Sequence, residues 1–82
     1  MTFNAETTAT VKSLFEAYGV TWKVYVVAPV TEDEAIFVVP TIAAATMDER
    51  GLTQALTELL HRKVWVATDG PEWTGKTVPL DQ

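Results

Sequence analysis

The sequence predicts a small α+β domain, a two-layer sandwich with element order α-β-β-α-β and a further β-strand near its C-terminal end. Two segments repeat apolar residues with the period of an amphipathic helix. Three short runs are rich in β-branched and aromatic residues, and turn residues separate these segments. Because 82 residues suffice for one hydrophobic core but not two, we expect a single compact domain over residues 1–82.

The first helix is predicted over residues 4–18. Its apolar residues recur at i, i+3, i+4 and i+7, which places them on one face: Val11, Leu14, Phe15 and Tyr18. Asn4 is a suitable N-cap residue, and Gly19 is suited to the left-handed position that follows many helices. The sequence therefore marks both ends of this helix.

Two strands are predicted next, over residues 21–27 and 34–39. Both are dense in β-branched and aromatic residues, and the acidic residues 32–34 occupy the turn between them. This pattern is typical of a hairpin with a solvated loop. Pro40 ends the second strand because proline cannot donate to a sheet ladder.

A second helix is predicted from the sequence Thr46-Met47-Asp48-Glu49, which has the form of a capping box. Gly51 weakens the first turn by about 1 kcal/mol relative to alanine, so a start several residues later is the alternative. Its apolar face follows: Leu52, Ala55, Leu56, Leu59 and Leu60. A third strand is predicted over residues 63–68 and a short fourth strand over residues 76–80, with a turn between them.

This order matches a ferredoxin-like β-α-β-β-α-β fold without its first strand. If residues 63–80 formed a C-terminal hairpin, its second strand would fill the vacant position. The pattern thus favours a circularly permuted ferredoxin-like sandwich.

The composition limits the chemistry of the chain. It has no cysteine and one histidine, which excludes disulfides, thiolate metal sites and a His-rich site within one subunit, and we expect no cofactor. The net charge of −5 disfavours binding to nucleic-acid phosphates. No apolar run is long enough for a membrane span and no secretory signal opens the chain, so we expect no membrane association and a cytoplasmic protein.

Residues 70–77 match the phosphate-binding pattern G-x-x-x-x-G-K-[ST] completely. That chemistry needs a helix directly after the lysine, because the N–H groups at the helix N-terminus hold the phosphates. Only five residues remain here, and Pro79 disfavours a helical conformation at Val78. The segment is therefore interpreted as a turn between two strands.

Strict alternation along the strands assigns the side chains to two faces of the sheet. The face expected under the helices carries Trp22, Val24, Val26, Ile36, Val38, Val64 and Val66. Two helices cover only one face of a small sheet, so an aromatic patch with basic neighbours is expected to stay open. Its predicted interface residues are Lys23, Tyr25, Phe37, Val39, Lys63 and Trp65. In the alternative, the C-terminal segment covers this patch with Trp73 or Leu80.

These features favour a non-enzymatic accessory or inhibitory module that binds another protein or a second copy of itself through the aromatic face. One alternative is an acidic decoy that occupies the basic nucleic-acid groove of a partner, using carboxylates such as Glu32 and Asp33. Another is a small enzyme or nucleotide binder. His61 is interpreted as a helix-end residue, since no nucleophile stands at a recognisable spacing from it. Single-stranded nucleic acid is disfavoured as a ligand of the aromatic face because of the charge.

Overall fold

The structure is a computed structural model that describes residues 4–28 and 30–80. The ends of the predicted domain, residues 1 and 82, lie outside the described residues. The helices and strands are α1 (Ala5–Ala17), β1 (Tyr25–Val27), β2 (Glu34–Val39), α2 (Glu49–Leu60), β3 (Lys63–Thr68) and β4 (Thr77–Pro79). Short 3-10 turns lie at Thr41–Ala45 and Pro71–Trp73. Two helices and a mixed four-stranded sheet confirm the predicted α+β class.

Helix α1 has the two ends that its sequence predicts. The Oδ1 atom of Asn4 accepts a hydrogen bond from the backbone N–H of Thr7 at 2.7 Å. At the other end Gly19 has a φ of 97°, and the N–H of Val20 donates to the carbonyl of Phe15 at 2.8 Å. This six-to-one bond is the signature of a Schellman motif, which satisfies carbonyls that the helix leaves unpaired.

Helix α2 begins differently from the prediction. Asp48 is its N-cap, and its carboxylate accepts a hydrogen bond from the N–H of Gly51 at 3.3 Å. The predicted capping box is wrong, because the hydroxyl of Thr46 donates instead to the carbonyls of Gly19 and Ala43. Thr46 thus closes the preceding 3-10 turn and ties it to the end of α1.

The strand order of the sheet is β3-β2-β1-β4. β1 is antiparallel to β2 and to β4, whereas β2 and β3 are parallel. The predicted hairpin over residues 63–80 is therefore wrong: β4 pairs with β1 at the edge opposite β3. The circular permutation is not confirmed, because β2 pairs directly with β3 and leaves no vacant position between them.

Both helices pack on one face of the sheet, called here the inner face. The buried core contains residues from α1, α2 and the strands, together with Leu80 directly after β4. Within it the rings of Phe15 and Phe37 meet edge to face, with centroids 5.3 Å apart. The opposite, outer face has no helix on it in the described part of the chain.

The connection from β3 to β4, residues 69–76, crosses the outer face. These two strands run in the same direction at opposite edges of the sheet, so the chain must return across one face. Crossovers between parallel strands are almost always right-handed, and two right-handed crossovers that run in opposite directions along a sheet lie on opposite faces. Since α2 occupies the inner face between β2 and β3, the return segment lies on the outer face.

Candidate interaction surface on the outer sheet face

The register of the strands decides which side chains share the outer face. Tyr25 is paired with Val38, and Ile36 is paired with Trp65, so these four side chains project from the same face. Trp65 is 48 % exposed, whereas Val38 is only 2 % exposed. The outer face is therefore covered in one part and open in another.

Two predicted interface residues, Phe37 and Val39, are not on this face. Both are fully buried in the inner core, so their predicted assignment is wrong. The sequence at residues 35–39 is apolar at every position, as is common in strands with parallel neighbours that are covered on both sides. Because polar and apolar residues do not alternate in this run, the sequence does not show which side chains lie on which face of the sheet. The pairing with β1 sets the phase of β2 instead.

The covered part of the outer face lies under the return segment. Val38 is buried but does not belong to the inner core, which indicates that it is covered from the other side of the sheet. Trp73, in the middle of residues 69–76, is half-buried, and its indole nitrogen is buried. This position of the return segment agrees with the predicted alternative of a C-terminal cover, which stays a prediction for Trp73. Leu80, the other residue considered for this role, packs in the inner core.

The remaining four predicted interface residues form two separate pairs. The ammonium group of Lys63 lies 4.9 Å from the centroid of the Trp65 ring. The ammonium group of Lys23 lies 5.9 Å from the centroid of the Tyr25 ring. Each is a cation–π contact, which holds the lysine stem along the ring. β2 separates the two pairs, so they do not form the continuous patch that the sequence predicts.

The open part of the outer face is centred on Trp65. Lys63 and Trp65 come from the edge strand β3, and half-buried Ile36 lies beside the ring on β2. We call these three residues the Trp65 surface. The ladder between β2 and β3 fixes the backbone of Trp65, and the Lys63 ammonium group lies against the ring.

A second exposed tryptophan was not anticipated. Trp22 is 39 % exposed, although alternation placed it under the helices. β1 begins only at Tyr25, so the strand period does not extend back to this residue. Trp22 lines a small groove with residues of α1, of the segment before β1 and of the position directly after β4: Lys12, Phe15, Glu16, Val20, Thr21, Lys23, Val24 and Leu80.

The residues considered for catalysis and for an acidic decoy are at the surface. His61 is exposed at the C-cap of α2, where its φ is 54°, as expected of a helix-end residue. Glu32, Asp33 and Glu34 are exposed in the loop before β2. Over residues 4–28 and 30–80, no three histidine or carboxylate side chains come together as metal ligands.

The glycine-lysine segment has a different geometry from a phosphate-binding loop. Pro71–Trp73 form a 3-10 turn, Gly75 has a φ of 75°, and the strand β4 begins at Thr77. A strand thus follows Lys76 where phosphate binding would require the first turn of a helix. The segment was predicted as a turn between two neighbouring strands, but it connects β3 at one edge of the sheet to β4 at the opposite edge.

Neither described helix has the length and apolar character needed to cross a lipid bilayer. Comparisons with protein-family models, curated proteins and solved structures found no match to this chain.

Proposed function

We propose that this protein is a non-enzymatic binding module that holds a partner protein against the Trp65 surface. The observation that carries the proposal is the 48 % exposure of Trp65, on a face that the chain's own return segment covers elsewhere. Large aromatic side chains left open on a rigid sheet are the residues that contribute most to protein interfaces.

The energetics of the exposed ring support this proposal. Tryptophan buries up to about 250 Å² when fully covered, and apolar surface removed from water contributes roughly 25 cal/mol per Å². Covering the exposed half of Trp65 would then contribute a few kcal/mol to binding. Because the ring is already held by the sheet and by Lys63, little side-chain entropy is lost when a partner covers it.

The local charge indicates what kind of surface the partner presents. The chain as a whole has a net charge of −5, but the positive ammonium group of Lys63 lies against the exposed Trp65 ring. A partner with an apolar contact region and a nearby carboxylate would fit both groups, and the carboxylate would stay outside the fully buried area. We propose the cytoplasm as the place of this interaction.

Photocrosslinking tests the proposal. A benzophenone amino acid replaces Trp65 in one variant and Trp22, the other exposed tryptophan, in the control variant. Irradiation in a lysate of the source organism is expected to give a discrete protein adduct from position 65 only. An excess of the unmodified chain should compete away an adduct with a different protein, whereas a Trp65→Ser chain should not. An adduct with a second copy of this chain is recognised by its doubled mass, and its yield should rise as unmodified chain is added.

Three results would count against the proposal. Equal adducts from both positions would indicate general stickiness of exposed aromatic sites. An adduct with nucleic acid would favour the class of function that the charge disfavours. A lack of any adduct at position 65 would leave the Trp65 surface without a partner.

A further inference from the structure

Along the edge strand β3, the backbone N–H and C=O groups of successive residues point in turn toward β2 and toward the free edge of the sheet. At its start the N–H of Lys63 donates to the carbonyl of Asp33 at 3.0 Å. Just past its end the N–H of Asp69 donates to the carbonyl of Val39 at 2.8 Å. The odd-numbered residues therefore direct their backbone groups toward β2, and the even-numbered residues direct theirs to the free edge of the sheet. These even-numbered residues are Val64, Val66 and Thr68.

Apolar side chains are incompletely covered on both sides of this edge. Trp65 is 48 % exposed on the outer face. On the inner face Val66 and Leu59, the latter from α2, pack against the core but are only partly buried. An added strand would cover surface on both faces, and a helix beside α2 would complete the inner layer.

Charges of opposite sign lie at the two ends of the edge strand. Lys63 begins β3, and Asp69 follows its last residue. Both are exposed and, being an even number of positions apart in extended chain, both lie on the outer face. An antiparallel copy of this strand would bring Lys63 of each chain to Asp69 of the other, whereas a parallel copy would bring like charges together.

We propose that β3 pairs antiparallel with β3 of a second copy of this chain, about a twofold axis at Val66. This inference rests on the proposed function and names its partner. In this register every outward backbone group of β3 has a counterpart, because Val66 pairs with Val66 of the partner subunit and Val64 with Thr68 of the partner subunit. Trp65 then lies opposite Ala67 of the partner subunit, in the closer type of antiparallel pair, where a small side chain leaves room for the ring. The result is a continuous eight-stranded sheet.

A lysine on an edge strand also has a protective role in many sheets, since burying its charge discourages pairing. The two roles of Lys63 have opposite consequences. If Lys63 protects the edge, the wild-type chain stays monomeric. Reversing the charge of Lys63, of Asp69 or of both then produces no dimer. If Lys63 contacts Asp69 of the partner subunit, reversal of either charge weakens the dimer and reversal of both restores it.

The test is a charge-swap cycle measured by sedimentation equilibrium from micromolar to millimolar protein. The wild-type chain is expected to shift from its monomer mass of 9.0 kDa toward twice that mass. Lys63→Asp and Asp69→Lys should each raise the dissociation constant about tenfold or more, because each reversal changes two symmetric contacts. The double variant should return close to the wild-type value. The control is Lys23→Asp, which removes the other cation–π contact with the same change of charge and should leave dimerisation unaffected.

Amide exchange of the wild-type chain provides a second readout that does not depend on variants folding. At high concentration the N–H groups of Val64, Val66 and Thr68 should gain protection, while those of the intervening residues should be protected at every concentration.

Three results would each overturn the inference. The chain could keep its monomer mass at every concentration, or Lys63→Asp could leave the dimer as stable as the wild type. The exchange of the three amides could also be independent of protein concentration. A monomer whose position 65 still crosslinks to another protein would refute the second copy but leave the proposed function standing. A monomer without any adduct would refute both.

Discussion

Ile36 and Phe37 are neighbours in β2 whose side chains meet different environments. Phe37 is fully buried on the inner face against the ring of Phe15, and Ile36 is half-buried on the outer face. We expect Phe37→Ala to lower the free energy of unfolding by about 3–5 kcal/mol, through lost burial and a cavity. That is a large part of the roughly 4–12 kcal/mol expected for a domain of this size. Urea unfolding followed by far-UV circular dichroism measures the change.

The matched control is Ile36→Ala, which removes an apolar side chain of similar hydrophobicity from the adjacent position. Because this side chain is already partly in water, the expected loss is about 1 kcal/mol. A larger loss for Ile36→Ala than for Phe37→Ala would contradict the face assignment and restore the alternation that the sequence first suggested.

Trp73 carries a buried indole N–H that has no hydrogen-bond partner in the described part of the chain. An unpaired buried donor costs about 1–3 kcal/mol. Trp73→Phe removes the donor and keeps an aromatic ring, so we expect it to change the free energy of unfolding by less than about 1 kcal/mol in either direction. Trp73→Ala, which also removes the ring over the outer face, should cost several times more in the same urea titration. A loss well above 1 kcal/mol for Trp73→Phe would indicate that the N–H has a partner, and equal losses for the two variants would indicate that the ring contributes nothing to stability.

At the residue scale, the sequence predicted caps and burial where a single physical rule applies. Asn4 and Gly19 were assigned correctly, because helix ends have local signatures. The faces of Phe37 and Val39 were not, because an unbroken apolar strand has no readable period and its phase depends on pairing with β1. Of the proposed surface, Lys63 and Trp65 followed from alternation within β3 alone.

At the scale of elements, Gly19 joins the end of α1 to the approach of α2. Its φ is 97°, and an added Cβ would lie 2.8 Å from the carbonyl oxygen of Thr46, which is backbone and cannot turn aside. We therefore expect Gly19→Ala to combine the cost of a left-handed conformation, about 1–2 kcal/mol, with displacement of this junction. Thermal unfolding should show a clear loss of stability.

Gly75 supplies the matched control for this prediction. It also has a positive φ, 75°, but an added Cβ would meet nothing within 4 Å. Gly75→Ala should therefore cost only the conformational part. If the two variants lost equal stability, the contact with Thr46 would have no energetic weight.

The predicted ranges of β2 and β3 agree with the structure, yet the partner of β4 was misplaced. A glycine-rich turn after a strand is compatible with a hairpin or with a crossover, and local sequence does not distinguish them. The difference is decided by the whole sheet: once β2 and β3 are adjacent and parallel, the free edge of β1 is left for β4. That rearrangement places residues 69–76 over the outer face and confines the open surface to Trp65.

At the scale of the whole molecule, the inner core joins both helices to β1, β2 and β3, and Leu80 brings in the end of β4. Among residues 4–28 and 30–80 no element has a core of its own, so we expect cooperative two-state unfolding with a heat-capacity change of about 1 kcal/mol/K. The fluorescence of the three tryptophans reports on unfolding in three different parts of the chain. Trp22 lies in the loop before β1, Trp65 in the edge strand β3 and Trp73 in the return segment. Variants that keep one tryptophan each, with phenylalanine at the other two positions, should each show the same unfolding midpoint by fluorescence and by far-UV circular dichroism at one low protein concentration. An earlier fluorescence transition for the chain that retains only Trp73 would mean that the return segment detaches before the core unfolds, and the outer face would then be open along its full width.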